Sequence, residues 1–379
     1  MGDKCIRILR IVSVLNKGGI ETQIMNIYRE IDRARFQFDF LVTREEEGVY
    51  DAEIHELGGR IFQIQSVRKS GLLKFAKNCD MFFKQHPEYK IVHCHMNTWA
   101  VLDIARKNNV PIRIAQSHSA QQKSNRGHNV IRLAESCCKS IMKRLIPRGA
   151  THFWACGKDA GEWLYGNKIA ETKMVVIPNA KDIKSFGYDE VKRSSARNAL
   201  GISPPTLVVG HVGSFTEVKN HKFIIEIFQE LHRLKEDSRL CLVGVGPLQT
   251  SIRQQVSEFG LNDAVIFLDL RDDVHRLLSA FDVMVFPSFF EGMPNVLIEA
   301  QAAALPCVVS NEITSEIDFD MGLLEFMSLA DAPSKWAHQL LRKYDMDREI
   351  SVENLVKRGY DLHTLVKWLE DFYESCNAY

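Results

Sequence analysis

Long apolar runs and paired cysteines are the first features that this sequence lacks. No stretch reaches about eighteen consecutive apolar residues, the length typical of a membrane-spanning helix. The nine cysteines are scattered, odd in number and without a Cys-x-x-Cys pair, which favours buried thiols over a disulfide frame or a zinc site. The amino terminus, including Lys4, Arg7 and Arg10, has no apolar signal core or cleavage site. We therefore expect a cytoplasmic protein.

An excess of charge of either sign is also missing. The 379 residues include 48 Lys and Arg and 48 Asp and Glu, so no overall field attracts nucleic acid or an anionic membrane. Residues 121–148 are the local exception, with seven basic residues, the single acid Glu135 and apolar residues between them. This segment fits a basic amphipathic helix on the inner face of the plasma membrane, or equally a core-packed helix with a solvated basic face.

Strand-length apolar runs alternate with helix-period segments along the whole chain, which is typical of parallel sheets covered by helices. We predict two α/β domains of Rossmann type, over residues 1–182 and 183–361, and a final helix over 362–379 that crosses back to the first domain. The predicted strands are Ile6–Ser13, Phe36–Val42, Arg60–Ile64, Ile91–His95, Ile112–Gln116, His152–Ala155, Met174–Ile177, Thr206–Val212, Leu240–Val243, Val265–Leu268, Val283–Pro287 and Cys307–Ser310.

The most informative stretch of the second domain reads as strand, loop and helix. Pro294 fits the first helical turn, where the preceding amides and the helix dipole form an anion site. Glu291 lies in the loop and Glu299 one to two turns into the helix. Carboxylates accept hydrogen bonds from sugar hydroxyls, so two of them beside a phosphate site suit a nucleotide-sugar. Either glutamate alone would be read as a solvated surface residue.

With this spacing the segment resembles the Glu-x7-Glu motif of the retaining family 4 glycosyltransferases, which have the GT-B fold of two Rossmann-like domains with a cleft between them. In detail the chain resembles the bacterial exopolysaccharide and capsule subgroup, of the EpsF type. The likeness extends to 18–21, 92–95, 177–179, 213–221 and 243–248. It implies a nucleotide-sugar donor, UDP-linked by preference, a saccharide or polyprenyl-diphosphate-linked acceptor, and neither a metal nor a cofactor.

The same resemblance implies roles for individual residues. Glu291, Lys219 and His95 are the expected catalytic residues, and His95 and His118 are expected on the acceptor side. The expected donor-binding residues are Gly18, Gly19, Gly213, Ser214, Lys219, Gly292, Met293, Pro294, Asn295 and Glu299. Ser214 departs from the family's pattern, which has an arginine there. The departure predicts weaker donor binding or a substitute cation, for which Arg193, Arg197 and Lys222 are nearby in sequence.

Rival interpretations rest on fewer residues. His93 and His95 share one strand face, but no partners have the spacing of a zinc site. Asp318-Phe319-Asp320 and Asp345-Met346-Asp347 match the Asp-x-Asp metal motif of another glycosyltransferase fold only superficially. The adjacent glycines near the first strand disfavour a dehydrogenase. Two alternatives stay open, a nucleotide-sugar epimerase and a non-catalytic GT-B nucleotide-sugar-binding protein, which Ser214 would suit.

Overall fold

The first unit is a parallel sheet with helices on both faces. The computed structural model describes residues 5–16, 18–96, 99–118, 145–291, 293–346, 348 and 351–376. The strands are β1 (Ile6–Val12), β2 (Phe36–Val42), β3 (Ile61–Gln63), β4 (Ile91–Cys94), β5 (Ile112–Ser117), β6 (His152–Ala155) and β7 (Met174–Val176). The helices are α1 (Gly19–Glu30), α2 (Asp51–Glu56), α3 (Val67–Gln85), α4 (Trp99–Lys107), α5 (Lys158–Tyr165) and α6 (Asn167–Thr172). Residues 145–149 are also helical.

The second unit repeats this construction. Its strands are β8 (Leu207–Val212), β9 (Ser238–Val243), β10 (Val265–Phe267), β11 (Val283–Phe286), β12 (Cys307–Ser310) and β13 (Leu324–Met327). Its helices are α7 (Ile183–Phe186), α8 (Glu190–Ala199), α9 (His221–Leu234), α10 (Gln249–Glu258), α11 (Val274–Ala280), α12 (Asn295–Ala302), α13 (Pro333–Tyr344) and α14 (Glu353–Lys357). Two 3₁₀ turns, Glu217–Lys219 and Ser315–Ile317, follow β8 and β12.

Both sheets have the Rossmann strand order. The first runs β3-β2-β1-β4-β5-β6-β7 and the second β10-β9-β8-β11-β12-β13, with every adjacent pair parallel. The order therefore reverses between β1 and β4 in one sheet and between β8 and β11 in the other. In open α/β sheets, ligands bind beyond the carboxyl ends of the strands at this reversal. Each unit thus has one edge at which a site is expected.

Alternate residues of each central strand enter two different cores, because a parallel sheet is covered on both faces. In β1, Ile8 and Val12 belong to the cluster that contains Tyr373 from the end of the chain. Leu9 and Ile11 face the opposite cluster, beneath α3 and α4. Position 10 therefore lies on the same face as Ile8 and Tyr373, although its residue is an arginine.

The end of the chain returns to the first unit. The chain forms two compact units. One comprises Met1–Ala180 together with Leu362–Tyr379, and the other comprises Lys181–Asp361. Helix α15 (Leu362–Cys376) packs against α1 and buries Tyr373, whose ring centroid lies 6.1 Å from that of Phe36. At its polar face, Glu370 accepts a hydrogen bond of 2.8 Å from the amide of Asp32. The helix is therefore part of the first core.

The structure confirms all twelve predicted strands, with small differences at their ends. It adds one strand that the sequence analysis missed, β13, which pairs with β12 at the edge of the second sheet. Pro294 also lies one position earlier than predicted, as the N-cap of α12 and not in its first turn. No described helix is long and apolar enough to cross a membrane. Most of the basic segment 121–148 lies outside the described residues.

Arg193 and Arg197 do not substitute for the missing arginine at position 214, because both are bound at the opposite edge of the second sheet. Their guanidinium groups each lie 2.6 Å from a carboxylate oxygen of Asp282, which immediately precedes β11. The same carboxylate accepts a hydrogen bond of 2.7 Å from the amide of Val208. Asp282 thus joins α8 to two central strands. Lys222, the third candidate, is exposed on α9.

This arrangement makes Asp282 a stability determinant of the second unit. Replacing Asp282 with Asn leaves two partly buried guanidinium groups with a neutral partner, and we expect a loss of about 3 kcal/mol in unfolding free energy. Urea denaturation followed by circular dichroism measures the loss. Asp331→Asn is the matched control, because its 2.7 Å pair with Lys335 lies on the surface and is worth less than about 1 kcal/mol. Equal losses in the two variants would contradict the assignment.

Candidate active site

In the second unit, both glutamates of the Glu-x7-Glu motif are paired with lysines. Glu291 follows β11 and its Oε1 lies 2.5 Å from Nζ of Lys219, which ends the 3₁₀ turn after β8. The two side chains are equally exposed, at 17% each. Nζ of Lys219 also lies 4.8 Å from the centroid of the Phe286 ring. The loops after β8 and β11 thus bring two predicted site residues into contact at the strand-order reversal.

Glu299 has a lysine partner that the sequence analysis missed. Its Oε1 lies 2.7 Å from Nζ of Lys181, and both side chains are largely buried. Lys181 is held in place through its backbone, whose amide donates a hydrogen bond of 2.8 Å to the carbonyl of Tyr360. In the sequence Lys181 is one of several basic residues in a polar stretch. Only its partner 118 residues away distinguishes it, and spacing along the chain gives no signal of that pairing.

Gly213 and Ser214 line a solvent-open pocket beyond the carboxyl ends of β8 and β9. The other lining residues are Val212, Val243, Gly244, Val245, Leu270, Arg271 and Val274. Gly244 has a φ of 135°, and a Cβ there would lie 2.2 Å from the carbonyl oxygen of Gly213. A glycine is therefore required for these two loops to approach each other. The lining is mostly apolar, with Arg271 as a charged member, and its apolar wall suits a flat ring.

Several buried polar atoms near this edge have no partner among the described residues. They are Nε2 of His211, both ring nitrogens of His221, Oγ of Ser288 and Oδ1 of Asn295. Each belongs to the end of β8 or β11, or to the start of the helix that follows. Native proteins leave few such atoms unsatisfied, so a group without a partner calls for water or a ligand. These atoms support the edge as a binding site.

The two histidines do not replace the charge of the missing arginine. Burial lowers the pKa of His211 well below its ordinary value, and the adjacent His221 lowers it further. Burial and then the Lys219 charge lower the pKa of His221 to about 4. Both rings are neutral at pH 7. Ser214 is exposed. Two cations lie near the Gly213 loop: Lys219, whose side chain would lie 3.3 Å from a Cβ on Gly213, and Arg271, which lines the same pocket.

The remaining predicted donor residues have simpler surroundings. Met293 is partly buried, Pro294 caps α12 and Asn295 begins it. Gly292 lies outside the described residues. In the first unit Gly18 is the N-cap of α1 and Gly19 its first residue, directly after the β1 loop. A Cβ on Gly18 would meet the carboxylate of Glu21 at 2.3 Å, which is the movable end of a side chain. The local geometry therefore does not require a glycine at position 18.

At the corresponding edge of the first unit, three histidines lie at the carboxyl ends of β4 and β5. His93 is in β4, His95 follows it, and His118 follows β5. Nδ1 of His95 lies 2.8 Å from Nε2 of His118. Nε2 of His93 lies 2.8 Å from Oε1 of Gln116. The two predicted acceptor-side residues, His95 and His118, are thus in direct contact.

A buried arginine on β1 completes the cluster. Nη1 of Arg10 lies 2.5 Å from Nδ1 of His93 and 3.4 Å from Nε2 of His95. Arg10 and the three histidines line one small cavity together with Gln23, Gln116, Trp154 and apolar residues. Among the described residues no group of three or more His, Cys, Asp and Glu side chains is placed to hold a metal ion. Arg10 instead occupies the position between the two neighbouring imidazoles.

Two Rossmann-like units in one chain, with a paired-glutamate loop at the strand-order reversal of the second, are the architecture of the GT-B glycosyltransferases. Residues 17–185 match the family model Glycosyltransferase Family 4, and residues 206–345 match Glycosyl transferases group 1. The chain belongs to this glycosyltransferase family.

Relatives span almost the whole chain. A Bacillus subtilis protein named as glycosyltransferase EpsF is 36% identical over 97% of this chain and 96% of its own length. The Escherichia coli UDP-Gal:alpha-D-GlcNAc-diphosphoundecaprenol alpha-1,3-galactosyltransferase is 26% identical over 89% of each chain. The crystal structure of Anabaena HepE in complex with UDP superimposes with a TM-score of 0.76 at 18% identity, covering 98% of this chain and 100% of that one. This likeness establishes the GT-B fold.

The histidine cluster generates a pH prediction. Burial and then the Arg10 charge lower the pKa of His118 to about 4, whereas an unfolded histidine titrates near about 6.5. The unfolded chain therefore binds the proton first, and stability is lost as the pH falls from about 6.5 to about 4. We expect His118→Gln to remove about 1 to 2 kcal/mol of the loss between pH 7 and pH 5. Urea unfolding at both pH values measures it, and parallel losses in both proteins would refute the expectation.

Proposed function

We propose that this protein is a metal-independent, retaining glycosyltransferase that moves a sugar from a UDP-sugar to a lipid-linked saccharide in bacterial surface polysaccharide synthesis. The observation that carries the proposal is the arrangement of Glu291 and Glu299, each paired with a lysine, at the strand-order reversal of the second unit. The relatives named above supply the class of donor and acceptor.

The pocket beside Gly213 is the proposed site of the nucleotide base. Its apolar wall of Val212, Val245, Leu270 and Val274 offers a surface on which a flat ring can stack. Backbone groups at Gly244 are available there because a side chain at that position is excluded. The HepE complex with UDP and the UDP-galactose named for the E. coli relative support uridine over guanosine as the base.

Donor binding would exchange partners in the two lysine–glutamate pairs. The diphosphate brings negative charge to Lys219, whose present partner Glu291 lies at 2.5 Å. Once Lys219 binds phosphate, Glu291 is released to accept hydrogen bonds from hydroxyls of the transferred sugar. Glu299, beside Lys181 at 2.7 Å, would in the same way accept from the ribose hydroxyls. The pairs thus hold both carboxylates in position before the donor arrives.

Transfer would proceed on one face of the sugar. The bond between the anomeric carbon and the diphosphate oxygen breaks, the acceptor oxygen bonds to the same face, and the acceptor proton passes to the departing diphosphate. Lys219 and the first amides of α12 stabilise the charge that develops on the leaving group. Glu291 positions the sugar and forms no covalent bond. Because this route uses a protein cation and helix amides, it requires no divalent metal.

A lipid-linked acceptor is the proposed second substrate. The E. coli relative is named for an acceptor in which N-acetylglucosamine is attached to diphosphoundecaprenol. The basic segment 121–148, which contains apolar residues between its seven cations, would suit the diphosphate and lipid of such an acceptor at the cytoplasmic membrane face.

The test is transfer by purified protein from a panel of UDP- and GDP-sugars, with EDTA present and with extracted membrane lipid or soluble saccharide as acceptor. We expect one UDP-sugar to be consumed, with an α-linked product from an α-linked donor. Glu291→Gln should lower turnover about 10²- to 10³-fold, because it removes one charged contact to the transition state. Glu258→Gln on the exposed face of α10 is the matched control and should retain full activity.

Three outcomes would contradict parts of this proposal. Restoration of activity only by added Mg²⁺ or Mn²⁺ would exclude the metal-independent route. Interconversion of the sugar without an acceptor would indicate an epimerase. Binding of UDP without turnover on any donor would indicate a non-catalytic protein.

Ser214 generates a separate prediction about donor affinity. Because the Gly213 loop lacks the family's arginine, Ser214→Arg should add a charge-assisted hydrogen bond to the diphosphate. Such a bond is worth about 1.5 to 3 kcal/mol, so UDP should bind about ten- to a hundredfold more tightly. Calorimetric titration with UDP measures the change. Ser251→Arg, which adds the same charge at an exposed position of α10, is the control; equal tightening in both variants would show a general charge effect.

A further inference from the structure

The first unit contains a buried guanidinium group with no carboxylate beside it. Arg10 is 1% exposed. Its Nη2 donates a hydrogen bond of 2.8 Å to the hydroxyl of Tyr373, and its Cζ lies 4.0 Å from the centroid of the Phe38 ring. In the part of the chain that the structure describes, no acidic side chain forms an ion pair with it. A buried charge without an opposite charge is costly, so its retention calls for a role.

Arg10 fixes the direction of the hydrogen bonds around it, because a guanidinium group donates and cannot accept. The imidazole nitrogens that face it, Nδ1 of His93 at 2.5 Å and Nε2 of His95 at 3.4 Å, must therefore carry lone pairs. Each neutral ring then has its proton on the other nitrogen. His93 donates from Nε2 to Oε1 of Gln116, and His95 donates from Nδ1 to Nε2 of His118.

The direction of these hydrogen bonds also determines the tautomer of His118. Nε2 of His118 accepts the hydrogen bond from Nδ1–H of His95, so the proton of the neutral His118 ring is on Nδ1. Burial keeps all three rings neutral, since it lowers the pKa values of His93 and His95 well below the ordinary value and that of His118 to about 4. The reverse arrangement would direct an N–H of His95 at the positive guanidinium group. Arg10, His95 and His118 thus form a row in which every hydrogen bond runs away from Arg10.

We propose that Arg10 is a positioning residue for the sugar-binding edge of the first unit: it holds His95 and His118 as neutral Nδ1–H tautomers, so that His118 presents a hydrogen-bond donor to a substrate oxygen. This role rests on the proposed function, because it assigns the row to the saccharide side of the transfer. A His118 that carries its proton on Nδ1 binds a hydroxyl or phosphate oxygen through that proton. It cannot act as the base that deprotonates the acceptor, which leaves that proton to the diphosphate.

The first test observes the tautomers directly. Long-range ¹H–¹⁵N NMR spectra of histidine-labelled protein distinguish a protonated from an unprotonated ring nitrogen, and His93→Gln, His95→Gln and His118→Gln assign the signals. We expect protonated Nδ1 in His95 and His118 and protonated Nε2 in His93. A wild-type spectrum with Nε2–H on His95 overturns the proposal, whether or not transferase activity has been found.

Arg10→Met then removes the charge while retaining an apolar side chain for the core. We expect the His95 and His118 signals to shift toward the Nε2–H form, and Arg10→Lys to restore the wild-type pattern. Arg113→Met is the matched control, because Arg113 lies in β5 of the same unit and its guanidinium group contacts the carbonyls of Gly149, Val110 and Pro111. An Arg10→Met spectrum identical to that of the control overturns the proposal.

Activity provides a second readout. Arg10→Met should lower kcat/KM for transfer about ten- to a hundredfold, by analogy with the loss of groups that orient metal-binding histidines. UDP affinity should stay unchanged, because the proposed nucleotide pocket belongs to the second unit. A purely structural role predicts equal losses in Arg10→Met and Arg10→Lys and unchanged tautomers. Absence of wild-type transfer would instead count against the proposed function and leave the NMR test decisive for the tautomers.

Discussion

The reversal of strand order next to the first strand of each sheet is the constraint on which the rest of the structure depends. Parallel strands must bury both faces, so helices cover each sheet and leave polar groups few places to gather. At the reversal, successive helices leave in opposite directions and uncover the carboxyl ends of the central strands. Lys219 and Glu291 meet there in the second unit, and His95 and His118 meet there in the first. The sheets thus determine where chemistry can take place.

The two edges treat charge in different ways. In the second unit Glu291 and Glu299 each have an ammonium partner within 2.7 Å, so each pair is neutral until a ligand separates it. A diphosphate can do this because it offers lysine a stronger acceptor and its sugar offers glutamate several hydroxyl donors. In the first unit the buried cation Arg10 has neutral partners. Among the described residues, hydrogen bonds to imidazole nitrogens stabilise its charge, and no carboxylate neutralises it.

Much of this could be predicted from the sequence, and the failures share a physical cause. Most of the twelve predicted strands are runs of apolar residues, because a parallel sheet is covered on both faces. By contrast, β13 is a four-residue edge strand with partly exposed Glu325 and Phe326 and gives a weaker signal. The Glu-x7-Glu spacing is local, so it can be recognised in the sequence. The pairing of Lys181 with Glu299 and the surroundings of Arg10 depend on contacts between distant residues. In the sequence, Arg10 is only one of several basic residues near the amino terminus.

The substitution at Ser214 connects these observations. Without an arginine there, and with His211 and His221 neutral, Lys219 and Arg271 are the cations near the Gly213 loop, and each is already paired with a carboxylate. A diphosphate that is only partly neutralised is a poorer leaving group but a stronger base. In the proposed same-face transfer, such a phosphate is suited to accept the acceptor proton. In that proposal the first unit needs no base and supplies neutral donors, which Arg10 maintains because it is directed at two lone pairs.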